Sequence, residues 1–293
     1  MKSPFSESIY RAKDPNPRGG FRGARGVTIY GDHLIIANAE RLLIFDSSWK
    51  FVGEITHPWM GGVHDILVDG DGIWVTCATA DLLLKVDWTG KVLADWEWRL
   101  DKNLTASFGF RNLSQVDRRL DYRDPETMRD GVHNTVHLNA VSRSPEGLLL
   151  SFGRILSPAA YKKAKVASVL GRIAKYIGLK RRNHNSKQEA MPGTPVPKIE
   201  GSSSALILLR EDGSAKILKR IFGTSVPNHN VIQVENSLIY NDSNGNRVVA
   251  TALDESSPDR CVEIPGQPGF VRGLAQLDKD SFLVGSQAPA ANY

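Results

Sequence analysis

The chain is poor in cysteine: Cys77 and Cys261 are the only two in 293 residues. That excludes a disulfide framework, and both fall in strand-like runs that read as buried free thiols. No run approaches the roughly 20 apolar residues that a membrane span needs. Met1-Lys2-Ser3-Pro4 opens without an apolar core segment, so no secretory leader is expected and a cytoplasmic, reduced protein is. There is no Gly-x-x-x-x-Gly-Lys-(Ser/Thr) loop, so nothing points to a nucleotide-phosphate cradle, and no cofactor is expected. Basic residues are not interleaved with stacking aromatics, so nucleic acid is not an expected partner.

What the chain has is a repeat. Hydrophobic residues make up 41% and charged residues 24%, ordinary globular values. The net charge of +5 is mild, and its excess is local. Strand-like runs come in fours, divided by turn residues. The first group is 26–30, 34–38, 41–45 and 51–55; the second is 64–68, 72–77, 82–86 and 92–96. Asp69-Gly70-Asp71-Gly72 and Trp88-Thr89-Gly90 are strong hairpin signals within the second. A third group, 137–142 and 148–152, is interrupted and resumes at 205–209 and 216–221. A fourth runs 230–234, 237–241, 247–251 and 261–264, and a fifth has two clear strands, 272–276 and 281–285.

Four-stranded units at this spacing read as blades of an all-β, single β-propeller domain covering 1–293. Five blades are expected. A sixth has room in 99–136, a polar stretch that reads better as a long loop with a short helix. The terminal blade lacks outer strands, so closure by an N-terminal strand such as Phe5–Ala12 is expected.

The interruption, 155–204, differs in kind. Within Pro158–Arg182, Val166, Val169, Leu170, Ile173, Tyr176 and Ile177 follow helical i, i+3, i+4 spacing. Eight Lys/Arg and no acidic residue lie between Lys162 and Arg182. Such a basic amphipathic helix either packs its apolar face on the propeller or rests on an anionic membrane surface or acidic partner, which would make the protein membrane-peripheral. Asn183–Ser204 reads as a loop.

Three blades open alike. His64 heads Asp65-Ile66-Leu67-Val68, His137 heads Leu138-Asn139-Ala140-Val141, and His229 heads Asn230-Val231-Ile232. Arg25 and Arg272 take the same place before Gly26-Val27 and Gly273-Leu274. Equivalent positions around a propeller axis point at one place, so imidazoles and guanidiniums should converge there as an anion-handling or metal-handling site. Asn139, two residues after His137, should share its strand face, and Arg154 lies just past the next strand. Asp65 and Asn230 should point away from the channel. Asn241–Asn246 reads as a hairpin turn rather than a calcium loop.

Val136-His137-Leu138-Asn139-Ala140-Val141 followed by Leu150-Ser151-Phe152-Gly153-Arg154 resembles the His-x-Asn-(Ser/Ala) strand and Ser-x-Arg strand of arylsulfotransferase-like propellers. Asn228-His229-Asn230, the strand Leu238–Asn241 and Arg247-Val248-Val249 resemble that family's second hallmark, and His64 sits where the family carries an earlier histidine. The resemblance implies a sulfuryl-transfer enzyme acting on a small anionic substrate, an aryl sulfate or similar. It makes His229 the nucleophile and His137 the general acid or base, with Arg154, Asn139 and His64 on the sulfuryl oxygens. Arg25 and Arg272 join them as substrate-binding residues through the repeat. No metal is expected on this reading. Two other readings stand beside it: a metal-dependent propeller hydrolase or lactonase using the three imidazoles, and a non-catalytic ligand- or partner-binding propeller.

Overall fold

In the computed structural model, the residues described are 25–124, 127, 134–176, 203–223, 227–254, 257–265 and 270–287. The chain is a β-propeller of antiparallel sheets. Blade 1 holds β1 (Val27–Tyr30), β2 (His33–Ala37), β3 (Leu42–Phe45) and β4 (Phe51–Ile55). Blade 2 holds β5 (Val63–Asp69), β6 (Gly72–Cys77), β7 (Leu82–Val86) and β8 (Val92–Glu97). Blade 3 is β9 (Leu138–Ser144), β10 (Gly147–Ile155), β11 (Ser203–Leu209) and β12 (Ala215–Phe222). Blade 4 is β13 (Asn228–Val234), β14 (Ser237–Asp242), β15 (Arg247–Ala252) and β16 (Arg260–Glu263). Blade 5 pairs β17 (Phe270–Gln276) with β18 (Phe282–Gln287).

These strands form where apolar residues alternate or run together between tight turns. Asp46 and Asp87 each cap the β3–β4 and β7–β8 turns in the same way, accepting from the backbone two and four residues ahead. The described residues between blades 2 and 3 hold no strand. They hold a 3-10 turn, Trp98–Leu100, and a short helix α1 (Lys102–Ser107) capped by Asp101, whose side chain accepts from the Leu104 N–H. Helix α2 (Pro158–Tyr176) stands in the expected insertion, between β10 and β11. The expected closing strand Phe5–Ala12, the continuation of the helix to Arg182 and residues 183–202 of the expected loop lie outside the described residues; its last two, Ser203 and Ser204, belong instead to β11, paired with β12.

Innermost strands pack in ring order: β1 on β5, β5 on β9, β9 on β13, and β13 on β17. Three apolar clusters fill the joints. Ile35, Leu42, Ile73 and Leu84 join blades 1 and 2. Leu83, Trp98, Leu138, Leu150 and Phe152 join blades 2 and 3. Leu206, Val231, Leu238 and Tyr240 join blades 3 and 4. Each such buried side chain contributes about 1.5–3 kcal/mol over leaving it in water. The two outer members differ: Ile29 on β1 is 74% exposed and Leu283 on β18 is 61% exposed.

One thiol departs from expectation. Cys77 is buried in β6, but Cys261 is exposed, because β16 is the outermost strand of blade 4 and all four of its residues face solvent. The strand-like run is real and pairs with β15; what it lacks, among the described residues, is a neighbour on its outer side.

Candidate functional site: an axial histidine and arginine cluster

Each innermost strand breaks its ladder at the axial end. In β5, His64 and Asp65 together oppose Thr76. In β9 the extra residue is Asn139, in β13 it is Asn230, and in β17 it is Arg272. In blade 1, Arg25 and Gly26 both bond Ala37. Such bulges re-aim side chains at sheet ends. Two lie beside left-handed backbone: His137 has φ 53° and Asn230 has φ 51°. His and Asn tolerate that region better than most residues do.

The bulges bring three imidazoles together. The ring centroids lie 4.6 Å apart for His64 and His137, 6.0 Å for His64 and His229, and 6.5 Å for His137 and His229. One ring nitrogen from each falls within 4.8 Å of the others.

Hydrogen bonds fix which nitrogen carries a proton. The Ser243 hydroxyl donates to the Val271 carbonyl at 2.6 Å, so its oxygen accepts from His229 Nδ1 at 2.7 Å. His229 Nε2 is therefore the lone-pair nitrogen. It is buried and has no partner among the described residues. His137 Nδ1 faces the Asn134 side-chain oxygen at 3.2 Å, which leaves its Nε2 with the lone pair as well. His64 differs, because Arg25 donates to its Nε2 at 2.5 Å.

All three imidazoles are held neutral. Burial is the first cause in each case, and nearby guanidiniums add to it. Arg154 acts most on His137, whose pKa is pushed down to about 3. Arg25 acts on His64, and Arg272 on His229, both of which sit well below the ordinary histidine range. Arg154 is itself desolvated, which lowers its own pKa, and its buried Nε has no partner among the described residues. The Arg272 guanidinium lies 4.7 Å from the Phe270 ring, whose edge meets His229 at 5.2 Å. A ring of positive charge around neutral imidazoles favours an anion at the centre.

Of the seven residues singled out from sequence, His64, His137, His229, Arg25, Arg154 and Arg272 act on one another electrostatically at this centre. Asn139 is placed differently. The bulge interrupts the alternation that would set it beside His137, and its Nδ2 donates to the Asn228 carbonyl at 2.7 Å, joining blades 3 and 4. Gly153 makes that possible, since a Cβ there would stand 2.2 Å from Asn139 Nδ2. Asp65 also bridges blades, accepting from Val141 N–H and Ile66 N–H. The run Asn241–Asn246 is a hairpin turn whose Asp242 bonds Gly245 N–H and Arg247.

Two supporting residues were not legible in the sequence. Ser243, which sets the His229 tautomer, hides in that turn. Asp81, between β6 and β7, is fully buried and accepts from the N–H groups of Thr135, Val136 and Leu138, with Arg99 at 3.3 Å. It grips the backbone on both sides of His137. Burial lifts its carboxyl to about 6, against the pull of Arg99 and the backbone donors. Its left-handed φ of 53° is a tertiary feature with no local sequence signal.

The fold and cluster define a class: a β-propeller whose blade-top histidines and arginines meet on the axis. No family model and no curated protein sequence matches the chain. Solved structures resemble it. Virginiamycin B lyase from Staphylococcus aureus does so at TM-score 0.46 and 12% identity, over 90% of this chain and 63% of that one. A streptogramin B lyase does so at 0.45 and 11%, over 88% and 60%. A putative gluconolactonase does so at 0.47 and 11%, over 87% and 68%. The chain thus spans under two thirds of the length of the two lyases. The propeller implied by the sequence resemblance is the fold found here; membership of the arylsulfotransferase-like family is not shown, and the chemistry rests on the residues.

Proposed function

We propose that the axial cluster is the active site of an enzyme that transfers an anionic ester group, a sulfuryl group in the first instance, by way of His229. The observation that carries this reading is the lone-pair-bearing, unpartnered Nε2 of His229 in the field of the Arg272 and Arg25 guanidiniums. A neutral imidazole is a competent nucleophile, and a covalent intermediate divides one hard transfer into two easier ones.

In the first half, His229 Nε2 attacks sulfur, and the bond from sulfur to the aryl oxygen breaks with its electron pair leaving on oxygen. In the second, an acceptor hydroxyl oxygen attacks sulfur while His137 Nε2 takes its proton. The bond between sulfur and His229 breaks, its electrons return to Nε2, and the proton passes from His137 to the departed phenolate. Because His137 is neutral, it serves first as base rather than acid. In this reading Arg25, Arg154 and Arg272 hold the sulfuryl oxygens as they gather charge, and a pre-aimed donor of this kind is worth about 3 kcal/mol in the transition state.

The test is incubation with p-nitrophenyl sulfate followed by peptide mass spectrometry. Sulfuryl mass on His229 and release of p-nitrophenol, both lost in His229→Ala, are expected. A folded protein that does neither overturns the reading.

The spacing of the three imidazoles supports a second reading, a metal-dependent propeller hydrolase or lactonase. Three neutral imidazoles can hold zinc or iron. Against it, His64 Nε2 is already engaged by Arg25. Loss of lactone or ester hydrolysis on chelation, restored by zinc, would favour this reading over the first.

A further inference from the structure

We infer that α2 docks the protein onto an anionic lipid surface. The helix is rooted at its N-terminal end. Ser157 caps it, its hydroxyl accepting from Ala160 N–H, and Tyr161 is buried in the cluster between blades 2 and 3, edge-on to Phe110. At about 3.6 residues per turn, Tyr161 and Ala164 lie on one side and Val166, Val169 and Leu170 on the other. That second side does not pack on the propeller. Val166 is 52% exposed, Val169 43% and Leu170 60%. For Val166, Val169 and Leu170, the part of the apolar face among the described side chains, packing on the blades is therefore not what the fold adopts.

What could cover the face is decided by charge. Lys163 and Lys165 are exposed on either side of the apolar stripe and Lys162 at its N-terminal end, and the helix Pro158–Tyr176 contains no acidic residue. An apolar stripe bordered by lysines matches the boundary between acyl chains and anionic headgroups, where apolar residues enter and ammonium groups meet phosphates. A protein partner would have to pair an apolar groove with acidic groups on both of its rims, an arrangement that an anionic bilayer presents everywhere on its surface. An acidic polymer would satisfy the margin but leave the stripe in water. The helix also begins four residues after Arg154, so docking would hold the end of blade 3 that carries the axial cluster close to the membrane.

The experiment is flotation of the full chain with vesicles of phosphatidylcholine alone and of phosphatidylcholine mixed with phosphatidylglycerol. Binding to the mixed vesicles only, weakening with salt, is expected. Each basic residue near such a surface strengthens partitioning roughly fivefold, so Lys162→Glu with Lys163→Glu and Lys165→Glu should lower it by at least about 100-fold. Val169→Asp with Leu170→Asp should also abolish flotation, and Leu170→Trp should show a blue-shifted emission with mixed vesicles. All are exposed positions, so unchanged thermal unfolding checks the fold. No flotation with mixed vesicles overturns the proposal. So does flotation that Val169→Asp with Leu170→Asp leaves intact, which would mark plain polyanion binding.

Discussion

Blades 2 to 4 and blades 1 and 5 contribute to the same site in different ways. The three inner blades carry the imidazoles and are locked together by apolar clusters and buried polar bridges. Asp65 ties blade 2 to Val141 and Asn139 ties blade 3 to Asn228, while Asn241 carries one bridge outward from blade 4 to Gly273 of blade 5. Blades 1 and 5 carry Arg25 and Arg272 and leave apolar residues on β1 and β18 in solvent. Among the described residues, β17 packs on β13 and β14 of blade 4. Nucleophile and base need fixed geometry, whereas a long guanidinium can reach a charge from a less constrained strand. The difference teaches that rigidity is concentrated where proton positions matter.

The sharpest way to break that comparison is Asp81→Ala. It would leave Arg99 and three backbone N–H groups short of a buried partner, at a cost of about 3–5 kcal/mol in denaturant unfolding. A loss under about 1 kcal/mol would mean the inner blades are not held by this clamp. Arg272→Ala should do the reverse, leaving stability within about 0.5 kcal/mol while weakening sulfate inhibition by roughly 10- to 100-fold. Equal damage to both would erase the distinction between the two regions.

A smaller effect separates backbone from imidazole at His137. His137→Val places a β-branched residue at φ 53° and should cost about 1–2 kcal/mol. His137→Asn should keep the stability and lose the transfer activity. Thermal unfolding and p-nitrophenol release read the two.

The smallest effect is in pH. His64, His137 and His229 have folded pKa values below the ordinary 6.5, so below that pH the unfolded chain takes up protons that the fold does not. Stability from these groups is lost as pH falls. Asp65, at about 7, and Asp81, at about 6, work the other way. They hold protons that the unfolded chain releases, so stability from them is lost as pH rises from about 4 towards 7. The two sets oppose each other, three against two, and leave a shallow rise with pH. Asp65→Asn should steepen it by about 1 kcal/mol per pH unit near pH 5. An unchanged slope would show that Asp65 is not buried as a proton-holding group.

Hairpin turns and period-2 strands are local, so the blades could be read from turn residues and apolar runs alone. Strand boundaries fall within a residue or two of the runs in blades 1, 2 and 4. The recurrence of His64, His137 and His229 was legible for the same reason: a repeat places equal positions at equal places. Asn139 was not, because one bulged residue reverses strand alternation and a bulge has no single-residue signature.

The sequence by itself determined a propeller with imidazoles and guanidiniums at its blade tops, since periodicity and turn chemistry act over a few residues. Only the tertiary structure decided which nitrogen of His229 is free, because that depends on Ser243 and on Val271 in the next blade. The same holds for Asp81, which grips His137 from a distant turn, and for α2, whose apolar stripe faces solvent only because Tyr161 roots its other side. Each of these depends on long-range neighbours, which sequence spacing does not encode.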